Sequence, residues 1–169
     1  MAGAIAAAFR SEDVPLPFES WVRGVTLHDR GYGELDDDPI GGTTQERWCE
    51  IETRGFRARS GDDIADLVVA LHIRRLLGDD LEHPARAALA REIDDALGEV
   101  SAEARAADRL TEICDTAAFT FCFEEPERLP LDPWPLAVPF LRCVVGGFEA
   151  NGYPNRLEPI VGIVELCAS

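Results

Sequence analysis

Proline and glycine punctuation is what most limits the folds open to this chain. The two residues cluster at positions 14–17, 31–42 and 126–139, and no regular helix runs through such clusters, because proline lacks an N–H and glycine loses the most entropy on ordering. Between the clusters apolar residues recur every three or four positions, the spacing of helices with one buried stripe. The first such stretch, residues 2–9, begins without a capping residue. The second, residues 17–30, has Pro17 where a first turn tolerates it and Gly31 and Gly33 as its stop. Its stripe is Phe18, Trp21, Val22 and Val25, and the same spacing lands on His28 and Asp29, so both polar residues are expected to face the interior.

Residues 43–59 read as a more exposed helix holding Trp48, Ile51 and Phe56. Ser60 is expected to cap the next helix, with Asp63 in its first turn and Gly78 just past its end. Ala65, Val68, Val69, His72 and Leu76 form its stripe, which turns His72 inward; Arg74 and Arg75 stand near its end, where positive charge suits the dipole. Residues 84–97 form an ordinary amphipathic surface helix with Arg86, Arg91, Glu92 and Asp95 outside, and His83 ahead of it as a surface residue. Ser101 caps a long helix whose second half, residues 113–123, is apolar almost all round and contains Asp115. Residues 138–145 and 160–166 are β-branched or aliphatic and predict a short antiparallel pair of strands, with helix the alternative. The expected fold is mainly α, a helical bundle with a short C-terminal β-hairpin.

A chain of 169 residues suits one domain. No apolar run approaches the roughly 20 residues that span a bilayer, and residues 2–9 lack the basic flank and cleavage site of a signal peptide, so a cytoplasmic location is expected. The formal net charge is -16 and all 16 basic residues are arginine, a bias that a GC-rich genome or a salt-adapted cytoplasm would produce. An acidic surface of this size repels phosphate backbones, and no basic stripe with interleaved aromatics is present, which argues against nucleic acid as a partner. Cys49, Cys114, Cys122, Cys143 and Cys167 form no C-x-x-C pair and no zinc-ligand spacing, and read as buried thiols of the core.

Three helices therefore carry His28, Asp29, His72 and Asp115 toward one interior, and an unpaired buried carboxylate costs several kcal/mol. A divalent cation compensates such groups directly: imidazole and carboxylate ligands suit Fe, Mn, Zn or Mg. Adjacent His28 and Asp29 point about 100° apart on a helix and can reach one cation only near the helix end, which is where they stand. The alternatives are structural. His72 could be a hydrogen-bonded core histidine, the His28-Asp29 pair a helix-end salt bridge with an arginine, and Asp115 an acceptor for Thr111 or Thr116. Asp36, Asp37 and Asp38 read as a solvated loop near the site mouth, and Trp134 as a buried clamp.

The string Leu27-His28-Asp29-Arg30-Gly31-Tyr32 with Pro39 after it, then Ala70-Leu71-His72, then Cys114-Asp115 through Phe121-Cys122, and finally Asp132-Pro133-Trp134-Pro135, resembles domain-of-unknown-function family three-eight-nine-one. That family looks like a branch of the HD superfamily of helical metal-dependent phosphohydrolases. The resemblance implies an HD-like helical bundle, a divalent metal, and a small phosphorylated molecule as substrate. It makes His28 and Asp29 the His-Asp pair, Asp115 the distal carboxylate and His72 the intervening histidine; Asp29 would be both ligand and catalytic residue, best placed to bridge two ions. Arg30 or Arg74 would neutralise phosphate charge. The chain departs from the pattern at Tyr32, where the family has tryptophan, and in the first histidine, which the resemblance puts ahead of Ala2; the expectation is either a start further upstream or an incomplete site. The alternative is a noncatalytic helical module that keeps the fold and binds a partner, and oligomers fit either reading.

Overall fold

The computed structural model describes residues 2–31, 44–79, 82–124, 128–131, 140–148 and 159–168. They form six α-helices followed by a three-stranded sheet: α1 (Ala2–Ala6), α2 (Phe18–Leu27), α3 (Gln45–Arg57), α4 (Asp63–Leu77), α5 (Pro84–Leu97), α6 (Ala102–Glu124), β1 (Arg128–Leu131), β2 (Phe140–Phe148) and β3 (Pro159–Ala168). The described chain is mainly helical. No helix among the described residues is long and apolar enough to cross a membrane.

The helix-start signals act mostly where the sequence puts them. Thr44 accepts the Arg47 N–H ahead of α3, Ser101 accepts the Ala104 N–H ahead of α6, and Pro84 opens α5 with His83 before it. At α4 the expectation fails by two residues. Asp62 is the cap, its carboxylate accepting from the N–H of both Ile64 and Ala65 at 3.1 Å, while the Ser60 hydroxyl accepts from the Asp62 N–H. A carboxylate satisfies two orphan donors and also suits the positive end of the dipole, which a hydroxyl cannot match. Gly78 and Gly98 end α4 and α5 at φ 62° and 57°, the left-handed region that glycine enters without strain.

Two apolar clusters make up the core, and α4 divides them. On one side Ile5, Phe9, Trp21, Val25, Ala107, Cys114 and Leu166 surround Val68; on the other Phe56, Leu89, Ala90 and Ile93 pack on Val69, Ile73 and Leu77. A helix buried on two faces cannot follow a single stripe, and Leu76, expected in that stripe, is 42% exposed while Leu77 is fully buried. The α2–α4 crossing is close: a Cβ on Gly24 would lie 2.6 Å from the Val68 Cβ and 3.0 Å from the Ala65 carbonyl. Trp21 anchors the first cluster. It is fully buried, meets Phe9 edge to face at 5.4 Å and donates its indole N–H to Thr111 Oγ1 at 3.1 Å, the pairing a buried indole requires. Where the side chains of this part of α6 are described, Cys114, Ala117 and Ala118 face the core, while Asp115 is partly exposed and Thr116 exposed.

The expected antiparallel pair is present. β2 and β3 pair from Phe140↔Cys167 to Phe148↔Pro159. The sheet has a third member that the sequence does not announce, β1, parallel to β3 with Arg128 opposite Glu165; the order is β1-β3-β2. Glu165 then lies between Arg128 and Arg142, at 3.5 and 3.6 Å, a cross-strand charge pairing. Cys49, Cys114 and Cys167 are buried, as expected. Tyr32, residues 36–39 and residues 132–135 lie outside the described residues, as do the side chains of Phe121, Cys122 and Cys143.

Candidate metal centre

The expected helix over residues 17–30 stops at Leu27, and His28 caps it with helical backbone, φ -55° and ψ -34°. The Arg30 N–H closes a turn on the Leu27 carbonyl at 2.9 Å. Two contacts fix this turn. Gly31 backs onto α3 so closely that a Cβ there would lie 2.2 Å from the Ile51 carbonyl oxygen. Arg30 donates through Nε to the Gly55 carbonyl at 2.6 Å and through Nη1 to Asp66 Oδ1 at 2.7 Å, and Asp66 also accepts the Ser60 N–H. Arg30 is thus a tie between α3, α4 and the turn. Arg74, the other arginine considered for phosphate, donates to Asp94 Oδ1 and to the Gly78 carbonyl.

The four expected side chains come together. His28 Nδ1 donates to the Val25 carbonyl at 2.7 Å, which aims Nε2 away from its own helix. Nε2 lies 3.1 Å from Asp29 Oδ2 and 3.1 Å from Asp115 Oδ1. His72 Nε2 is 3.3 Å from Asp29 Oδ1, and its Nδ1 is 3.9 Å from Asp115 Oδ2. The two imidazoles stand edge to face with centroids 4.6 Å apart. One ligand atom from each of His28, Asp29 and His72 lies within 4.8 Å of the others, a spacing at which the three could hold a metal ion. Asp115 joins them through His28.

Burial divides the group. His28 and His72 are buried, but the Asp29 side chain is 52% exposed and that of Asp115 31%. The expectation that the whole His-Asp pair is buried therefore holds for His28 alone; Asp29, one position on, is half exposed while its two oxygens lie against the buried imidazoles. Neither alternative partner appears: Asp115 meets His28, while Thr111 serves Trp21 and the Ala107 carbonyl. Burial disfavours the His28 imidazolium, but Asp115 and Asp29 outweigh it and raise its pKa to about 10. Partial burial likewise opposes the Asp29 carboxylate, yet His28 and His72 hold it well below the usual range. Without an ion, a proton on His28 offsets part of the charge of these carboxylates.

Two groups escaped the sequence reading. Arg75 donates through Nη2 to His72 Nδ1 at 3.1 Å and is paired through Nη1 with Asp108 of α6; its three-residue distance from His72 is the signal that could have found it. Glu52 of α3 is a buried acid with no hydrogen-bond partner for Oε2 among the described residues. Burial raises its pKa to about 7 against the pull of Arg86, whose Nη atoms serve Gln45 and the carbonyls of Leu76 and Leu77. His83, as expected, stands at a helix start near the surface, 3.2 Å from Glu46.

No protein-family model, curated protein or solved structure matches this chain.

Proposed function

We propose that the chain is a metal-dependent phosphohydrolase of the HD type, acting on a small phosphorylated molecule. One observation carries the reading: His28 Nε2 stands 3.1 Å from two carboxylates on different elements, while its Nδ1–H is spent on the Val25 carbonyl. Ligating imidazoles are oriented by such a partner on the far nitrogen, and a mixed imidazole and carboxylate donor set suits Mn, Fe, Zn or Mg. The donor set fits a cation on its chemistry as well, because two carboxylates converge on one imidazole where only a proton now offsets them.

His28, Asp29 and Asp115 would hold the ion. A divalent cation there supplies Lewis-acid chemistry, acidifying a coordinated water and polarising a phosphoryl oxygen. Asp29, half exposed beside the two histidines, is the residue that meets an incoming substrate, and its position at the mouth is why it remains the candidate catalytic residue. Arg30 has no role in this scheme, since Gly55 and Asp66 hold it.

A second reading rests on His28 itself. Protonated between Asp29 and Asp115 it bridges and partly offsets the two carboxylates without an ion, and the chain is then a noncatalytic helical module. Metal content separates the two. On the first reading the purified protein carries or takes up one divalent ion per chain, hydrolyses a phosphomonoester from a general panel, and loses both with His28→Ala. Absence of stoichiometric metal together with unaltered behaviour of that variant would overturn the first.

A further inference from the structure

The two histidines of the site are backed by opposite kinds of partner. Behind His28 is a carbonyl, which only accepts, so Nδ1 carries the proton and the neutral ring presents a lone pair at Nε2. Behind His72 is a guanidinium, which only donates, so Nδ1 must be the acceptor. The neutral ring then carries its proton on Nε2. That atom belongs to a side chain 1% exposed, lies 3.3 Å from Asp29 Oδ1, and has no hydrogen-bond partner among the described residues. It is a buried donor whose near neighbour is the Asp29 carboxylate, with no well-formed hydrogen bond to it.

Arg75 is not free to release Nδ1. Its Nη1 is paired with Asp108, which also offers its backbone carbonyl at 3.5 Å, so the guanidinium is tied between α4 and α6. Ligating histidines need an acceptor at the far nitrogen to keep the near one bare, and this arrangement is the reverse.

We infer that Arg75, anchored by Asp108, is a positioning residue that holds His72 as its Nε2–H tautomer, making His72 a hydrogen-bond donor to an oxyanion at the site and not a ligand of the ion. The inference rests on the metal-centre reading for the site itself, but the tautomer is a property of the protein with or without an ion.

The test uses the full chain labelled with 15N-histidine, with long-range 1H–15N spectra at about pH 8, above the ordinary imidazole range. His72→Gln assigns the signal. The expected result is the Nε2–H pattern for His72 in metal-free protein and after adding zinc, with His28 showing Nδ1–H in the zinc form. Arg75→Leu should move His72 toward Nδ1–H, and Arg75→Lys, whose ammonium can only donate, should restore the original pattern. Inorganic phosphate added to the zinc form should shift the His72 Nε2 proton and leave His83 unmoved. Zinc affinity should fall by more than about 100-fold with His28→Gln and by no more than about tenfold with His72→Gln, the low end of what a group outside the ligand set costs. An Nδ1–H pattern for His72 in the native protein, or loss of its Nε2 proton on zinc binding, overturns the inference. Failure of zinc to bind at all overturns the metal-centre reading instead, and the metal-free spectrum still decides the tautomer; that spectrum needs no variant, so a poorly folding Arg75→Leu does not blunt the test.

Discussion

Gly31 and Gly55 stand backbone against backbone, the amide of Gly55 2.9 Å and its Cα 3.1 Å from where a Cβ on Gly31 would be. The turn that carries His28 and Asp29 reaches α3 because Gly31 has no side chain there, and a Cβ on Gly55 would fit only tightly, 3.2 Å from the Gly31 N. Gly31→Ala forces a methyl group against the Ile51 carbonyl and is expected to cost about 1–3 kcal/mol. Denaturant titration measures that loss, and if the glycine contact positions the site, metal affinity falls in the same variant. Unchanged stability would mean that the turn can move aside at no cost.

His28 sets a pH dependence whose sign can be stated. Its folded pKa, raised to about 10, lies above the unfolded value of about 6.5, so the charged ring adds stability that is fully present below about pH 6.5 and is lost as pH rises through about 10. Metal-free protein should therefore melt at progressively lower temperature across that window, and His28→Gln should flatten the curve. Metal binding should strengthen over the same range, because the ion displaces the proton from Nε2.

Glu52 acts in a lower window. Burial raises its pKa to about 7, above the unfolded value of about 4.3; the neutral acid is the favoured folded form, and stability from this site is lost as pH rises from the lower value through the upper. Glu52→Gln keeps the shape without the charge. It should stabilise the protein at pH 8 by on the order of 1 kcal/mol or more, with little effect at pH 4. Urea titrations at the two values check this, and equal effects at both would remove the buried-charge explanation.

Trp21 offers a graded test of the first cluster. Trp21→Phe keeps much of the apolar area but removes the donor to Thr111, whose hydroxyl still donates to the Ala107 carbonyl; the expected loss is about 1–2 kcal/mol. Trp21→Ala should cost about 3–5 kcal/mol. A Phe variant as damaging as the Ala variant would show that the hydrogen bond outweighs the packing.

Much of this architecture was legible because it is local. The Ser101 cap, the stop at Gly78 and the β-branched runs of β2 and β3 depend on residues a few positions apart, and these appear where their chemistry places them. The convergence of His28, His72 and Asp115 was legible through apolar spacing alone. What was missed is non-local. β1 is four residues with a proline in it, and only Glu165–Ala168 make it a strand. The stripe assigned to α4 fails at Leu76 because a helix covered on both sides obeys no single period. Asp62 and Ser60 are both good caps by type, and only the structure shows Asp62 taking the Ile64 and Ala65 N–H groups. The half exposure of Asp29 comes from α2 ending at Leu27, which spacing cannot locate to a residue.

Among the described residues, α4 is the one helix with buried side chains in both apolar clusters, and it also carries His72 and Arg75. Its backbone amides cannot exchange with solvent by fraying at one surface, since opening it separates both halves of the interior at once. The slowest hydrogen exchange in the protein is therefore expected along α4, and an ion bound beside His72 should slow those amides further even though it touches none of them.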